Sequence, residues 1–171
     1  LKSLPNAKIL VHPRGVSHLV DPERLWHSSQ SVLGFVSDIF GKPEPVPKER
    51  IIPVAEGAFD LGYGAKFTIS ETVGHASHNL SIHESFNGGV FPGDAAGTYL
   101  PEFDVVVPTT PPPFHLDAAL ASLDKLISLK PTALYFSHFG KATNAVQRLK
   151  VYKLQLQLWA EIADGGVRKN S

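Results

Sequence analysis

Thr72-Val73-Gly74-His75-Ala76-Ser77-His78 closes a strand-like run, Ala65 to Thr72, and opens a loop that begins with glycine and histidine. Two further segments repeat the arrangement: Phe91-Pro92-Gly93-Asp94, and Tyr135-Phe136-Ser137-His138-Phe139-Gly140. Each sets a metal-capable side chain where a predicted strand gives way to a loop. A strand end is a stiff platform, and the neighbouring glycines let the backbone turn sharply or approach another element closely. Histidine offers a neutral imidazole nitrogen, and aspartate can bridge two cations with its two oxygens while offsetting part of their charge. The chain has no cysteine. Thiolate ligands and disulfides are therefore excluded, and the donor set is nitrogen and oxygen, suited to zinc, iron or manganese.

Around these segments strand and helix patterns alternate. Ala7 to His12 reads as a short strand whose Ile9-Leu10-Val11 run suggests burial on both faces, ended by Pro13 and Gly15. Asp21-Pro22-Glu23 is a helix-start signature, because the Asp carboxylate can accept from an orphan backbone N–H and Pro tolerates the first turn; a helix from about Pro22 to Leu33 follows. Lys42 to Pro53, with Pro43, Pro45, Pro47 and Pro53, is expected to be an extended connector within one domain. Ile51 to Ala55, a turn near Gly57, Ala65 to Thr72 and Asn79 to Ser85 then read as strands and turns. Asn87-Gly88-Gly89 supplies the positive φ angles of a tight hairpin leading into Val90-Phe91. Val105 to Val107 is expected to be a further buried strand, stopped by the proline-rich loop Pro108 to Pro113.

Leu120, Leu123, Leu126 and Ile127 have the spacing of a helix lying on a sheet, over Asp117 to Leu129, and Ala133 to Phe136 returns as a strand. The last helix, about Ala142 to Ala163, carries Leu149, Tyr152, Leu156 and Trp159 on one stripe, which Val151, Leu154, Leu158 and Ile162 widen. It reads either as a core helix or as one that also meets a partner subunit, making a homodimer. Strands first, then helices alternating with strands, give an α/β sandwich in which helices cover a sheet.

Bulk composition narrows the function classes. A chain of 171 residues with 43% hydrophobic residues suits one domain with a sizeable core. Its 16 basic residues cancel its 16 acidic ones, so no long-range field favours nucleic acid or an anionic membrane. Neither a bilayer-spanning apolar run nor a secretory leader is present, and the expectation is a soluble, cytoplasmic protein. The sequence begins at Leu1 and contains no Met, so the expectation is that these residues are not the whole translated product.

Taken singly, a histidine at a strand end is more often structural than a ligand. The order is more specific: His75, then Gly93-Asp94 nineteen residues after it, then Ser137-His138 forty-four beyond Asp94. It resembles the C-terminal ligand set of the metallo-β-lactamase superfamily, most closely over residues 51 to 140. The resemblance implies an αββα sandwich, of which residues 1–171 would form the C-terminal two thirds as one partial domain. It also implies that His75 ligates one of two divalent metal ions, that Asp94 is the bridging and catalytic carboxylate, and that His138 ligates the second metal. His78 matches a histidine that supports such sites, and Ser77 and Ser137 either orient the loops or simply turn.

The implied activity is hydrolysis of a small-molecule substrate by a metal-bound hydroxide. A thioester, as in hydroxyacylglutathione hydrolases, a lactone, a phosphoester or an amide are the candidate substrates. A di-iron redox branch of the family commonly sits beside a flavin-binding domain, for which no Gly-rich phosphate loop is seen here. The family's His-x-His-x-Asp-His loop occurs nowhere in the sequence. That departure points to an upstream segment, or else to a non-catalytic scaffold; either way these residues alone are expected to bind metal weakly and hydrolyse little. Among the remaining histidines, His27 and His83 need no function. His12, Arg14, His18 and His115 are either structural or pocket-lining.

Overall fold

The computed structural model describes residues 3–60, 62–138 and 140–169, without the side chains of 167–169. Leu1, on which the reading of the chain start rests, and Phe139 of the third segment lie outside the described residues. The chain forms two compact units, Leu1–Ala55 and Glu56–Ser171.

In the first unit, β1 (Ile9–Val11) leads through a 3-10 turn at Pro13–Gly15 into α1 (Val16–Val20), α2 (Glu23–Leu33) and α3 (Phe35–Phe40). A second 3-10 turn, Lys48–Arg50, then enters β2 (Ile51–Pro53), which pairs in parallel with β1. The helix after Asp21 is as expected, and the Glu23 N–H donates to the Asp21 carboxylate at 3.2 Å. Burial of β1 on both faces is not seen. With β2 as its partner in a two-stranded ladder, Ile9, Leu10 and Val11 are all only half-buried. Arg50 ties the start of the unit down, its Nε donating to the Ala7 carbonyl at 2.7 Å and its Nη2 to that of Leu4 at 2.9 Å. The buried residues here are His12, Gly15, Pro22, Ser37 and Val54, so little apolar area is removed from water.

The second unit holds β3 (Gly57–Asp60), β4 (Lys66–Glu71), β5 (Leu80–Glu84), β6 (Val90–Phe91), β7 (Thr98–Leu100) and β8 (Val105–Val107). After these come α4 (Leu116–Ser128), β9 (Leu134–Phe136), β10 (Gly140–Ala142) and α5 (Ala145–Lys169). Six strands form one sheet in the order β10-β9-β6-β5-β4-β3, antiparallel throughout except for the parallel pair β6 and β9. The remaining ladder joins β7 to β8, and here the expected buried strand is corrected: Val105 lies at an edge and is exposed. Gly57 begins a strand, and Gly140-Lys141-Ala142 forms one despite poor strand propensity because β9 pairs with it.

Val90, Leu123, Leu126, Leu134, Leu149, Tyr152 and Leu156 are the centre of a single apolar core. It forms because α4 and α5 both turn a stripe of period 3.6 inward, the first through Ala119, Leu123 and Leu126, the second through Ala145, Leu149, Tyr152 and Leu156. Among the described residues no helix is long and apolar enough to cross a membrane.

Candidate metal centre

Sheet direction gathers the three segments. β4 is antiparallel to β5, β5 to β6, and β6 parallel to β9, so β4, β6 and β9 all run the same way. Their C-terminal ends share one rim of the sheet. His75 lies in the loop beyond β4, Asp94 beyond β6 and His138 in the turn beyond β9.

The structure brings these three side chains together. His75 Nε2 is 3.5 Å from Asp94 Oδ2, and His138 Nε2 is 3.5 Å from Asp94 Oδ1. The carboxylate thus stands between two imidazoles, one on each oxygen. Asp94 Oδ1 is buried and accepts no hydrogen bond from any described residue. Leaving such an oxygen unpaired costs about 1–3 kcal/mol, and more for a charged group. His75 Nδ1 donates to the Thr109 carbonyl at 2.9 Å, so that in the tautomer carrying its proton on Nδ1 the ring turns its Nε2 lone pair toward Asp94 Oδ2. Two lone pairs facing one another attract a cation. Two ligand atoms of one zinc ion, each about 2.1 Å away at a tetrahedral angle, lie about 3.4 Å apart. The observed 3.5 Å separations fit a metal better than a charge-assisted hydrogen bond of about 2.8 Å. Among the described residues no group of three or more His, Asp and Glu closes tightly enough around one point to form a complete metal cage. The arrangement is a row of three side chains with Asp94 in the middle, open on its outer side, where the His138 side chain is 55% exposed.

Each of these loops is held by its own local chemistry. Gly74, at φ +140°, passes so near α4 that a Cβ there would meet the Ala119 backbone at 2.6 Å. Ser122 of the same helix donates to the Val73 carbonyl at 2.6 Å, fixing the approach to His75. Asn79 joins the first loop to the second: its Nδ2 donates to Thr72 Oγ1 at 2.8 Å and to the Pro92 carbonyl at 3.2 Å, and its Oδ1 accepts from the Asp94 N–H at 3.1 Å. Thr72 and Ser81 hydroxyls, 2.6 Å apart, complete this network, with Ser81 donating to the Pro92 carbonyl at 3.0 Å. The amide of Asn79 fills the space that a Cβ on Gly93 would need, 2.6 Å from Oδ1.

Thr109 performs the same service from the proline-rich loop. Its carbonyl orients His75, its hydroxyl donates to the Asp94 carbonyl at 3.2 Å, and its backbone meets the buried phenol of Tyr152. Burial pushes the Tyr152 phenol up to about 12, and the nearby negative charge of Asp94 adds to that rise. Asn79, Thr109 and Tyr152 are the supporting residues the sequence did not single out. Tyr152 read only as a core position, and nothing in Pro108–Pro113 signals a hydrogen-bonding role. Of the loop residues that were singled out, His78, Ser77 and Ser137 are not buried. His12 is buried, and its Nδ1 accepts from the Arg14 N–H at 3.1 Å, so it caps the first 3-10 turn. His115 is exposed at the start of α4, and His27 is exposed on α2.

A match to the metallo-beta-lactamase superfamily runs over residues 1–138. The chain is 32% identical over 169 residues to the metallo-beta-lactamase fold-containing protein of Sulfurisphaera tokodaii, covering 94% of this chain and 62% of that protein. It therefore spans about three fifths of that relative. Among solved structures, an archaeal metallo-beta-lactamase superfamily protein from Sulfolobus tokodaii superposes with a TM-score of 0.80 at 31% identity, over 91% of this chain and 60% of the other. A metallo-beta-lactamase family protein from Thermus thermophilus follows at a TM-score of 0.60 and 23% identity, over 91% and 55%. The chemotaxis sensor ODP of T. denticola, solved as a peroxy diiron species, shares the fold at 0.56 and 12% identity, over 88% and 58%. With its α/β architecture, the order of His75, Asp94 and His138 along the chain and these likenesses, the chain belongs to the metallo-beta-lactamase superfamily.

Proposed function

We propose that the protein is a metal-dependent hydrolase in which His75 and His138 each bind one divalent cation and Asp94 bridges the two. The observation that carries this reading is the buried, unpaired Oδ1 of Asp94, set between imidazole nitrogens at 3.5 Å on either oxygen. Zinc, iron and manganese all accept such a nitrogen and oxygen set. When bound, the cations lower the pKa of water toward neutrality and polarise a carbonyl or phosphoryl oxygen. The chain's own residues supply the rest. Asn79 and Thr109 hold the Asp94 backbone, the Thr109 carbonyl fixes the ring orientation and tautomer of His75, and exposed His138 borders the side from which substrate arrives. A small ester or thioester is the substrate class, by likeness to hydroxyacylglutathione hydrolases.

From these three residues each cation gains one imidazole and one carboxylate oxygen, fewer than the three protein ligands usual for catalytic zinc. Metal affinity from them alone is accordingly weak, and the thermal midpoint rises only at metal concentrations above the dissociation constant. The test is thermal unfolding against zinc and manganese concentration, alongside turnover of a panel of thioesters, lactones and phosphoesters. Asp94→Ala is expected to remove both the metal-dependent rise and any turnover. Unchanged metal response and turnover in that variant would contradict the proposal, whereas tight stoichiometric uptake of two zinc ions by these three residues alone would contradict only the expectation of weak affinity.

A further inference from the structure

α5 has two apolar faces and uses one of them within the unit. Leu149, Tyr152 and Leu156 are buried in the core, and Lys153 is held to Asp124 of α4 at 2.6 Å. On the other side Val151, Leu154, Leu158 and Ile162 are exposed, Leu154 by 66% and Ile162 by 64%. At about 100° per residue these four fall within an arc of about 80°, a continuous stripe pointing away from the core. Singly exposed apolar residues are ordinary, but an aligned row of four along three turns marks an association surface. Beside its N-terminal half runs a groove of about 490 Å³ lined by Asp104, Val105, Val106, Gln147, Val151 and Gln155.

We infer that this stripe is the contact surface of a homodimer in which α5 packs antiparallel against α5 of a second copy. The occupant follows from the charges that flank the stripe. Lys150 lies on one margin toward the N-terminal end, and Glu161 lies on the same margin toward the C-terminal end; both are exposed. A two-fold axis level with Leu156 sets Val151 against Ile162 of the second copy and Leu154 against its Leu158. That axis keeps each margin on its own side, so Lys150 meets Glu161 of the second copy, twice, by symmetry. The two Lys150 residues then stand about 18 Å apart along the helices, beyond effective repulsion at physiological salt. A parallel pairing would instead set this margin against the opposite one, which carries Arg148, Gln155 and Trp159. There Lys150 stands level with a second cation, and the nearby Asp104 carboxylate is already engaged by Arg148 and the Tyr99 hydroxyl. Attraction in one orientation and its loss in the other select the antiparallel pair.

Because the chain contains no cysteine, thiol crosslinking reads this arrangement without background. Val151→Cys and Ile162→Cys variants of the full chain are prepared separately, mixed, and treated with a short thiol-specific bifunctional reagent, with mass measured by light scattering. The expected result is a dimer in the parent, crosslinking in the mixture, and little in either variant alone, since like positions lie far apart along the helices. Leu154→Glu is expected to elute as a folded monomer. Lys150→Glu is expected to weaken the dimer and Lys150→Glu with Glu161→Lys to restore it. A monomeric parent, or crosslinking of Val151→Cys with itself, would overturn the inference, as would a dimer indifferent to Leu154→Glu with unchanged circular dichroism.

Discussion

The two units of this chain are built on different physical terms. Glu56–Ser171 buries Val90, Leu123, Leu126, Leu134 and Leu149 almost completely, and its helices share one apolar core with its sheet. Leu1–Ala55 has more helices than strands, yet apart from Pro22 the one buried aliphatic side chain among its described residues is Val54, while Phe35 and Phe40 are more than three quarters exposed. Its order rests on backbone capping, on Arg50 and on the short β1–β2 ladder. Helical pattern alone therefore does not make a core, and the metal-capable residues belong to the unit that has one. A ligand cluster needs a scaffold that holds side chains to fractions of an ångström, and dense packing supplies it.

The contrast is sharpest in the core. Leu123→Ala or Leu126→Ala is expected to cost about 2–5 kcal/mol in denaturant unfolding, whereas Ile39→Ala, at an exposed position, is expected to cost less than about 0.5 kcal/mol. Equal losses would erase the distinction between the units. Native-state hydrogen exchange is expected to agree, with amides of α4 and β9 opening only with the whole fold and those of α2 and α3 opening locally. A smaller but more local effect is expected at Gly74→Ala, where a Cβ meets backbone of α4 at 2.6 Å. It should cost about 1–3 kcal/mol and also weaken the metal response, because the loop that moves carries His75. Asn79→Ala is expected to cost a similar or lesser amount, about 1–3 kcal/mol, by unpairing the Asp94 N–H and the Thr72 hydroxyl; a two-dimensional amide spectrum should show shifts at residues 72–75 and 92–95 together.

The gentlest probe is acid. Glu84 accepts from the N–H groups of Gly89, Asn87 and Phe86, and these backbone bonds hold its carboxyl below the usual glutamate range. A carboxyl lowered on folding stabilises fully above its unfolded pKa, and that contribution is lost as pH falls through the lowered folded value. Stability measured from pH 6 downward is therefore expected to fall less steeply in Glu84→Gln than in the parent, from a lower starting level. Parallel curves would show that the hairpin at 84–89 does not depend on the charge.

Much of the second unit is legible in the sequence because its signals are local. The run from Ala65 to Thr72 and the leucines of α4 each carry their own period and form the element expected, while Asn87-Gly88-Gly89 joins β5 to β6 as part of a longer loop, 85–89, in which only Gly88 of the three takes a positive φ. What the sequence hides is pairing. Val105–Val107 looks buried by composition but has a two-stranded ladder to sit in, and Gly140–Ala142 becomes a strand through β9 alone. The same holds at the site: His75, Asp94 and His138 stand out by residue type and order, whereas Asn79, Thr109 and Tyr152 act through hydrogen bonds to backbone that only the folded chain brings near.

The most direct test of the metal reading is an anomalous-scattering map from crystals of the protein equilibrated with zinc. A peak is expected about 2.0–2.2 Å from His75 Nε2 and Asp94 Oδ2, with a second beside His138 Nε2 and Asp94 Oδ1. Zinc bound elsewhere on the surface, with neither position occupied, would contradict it.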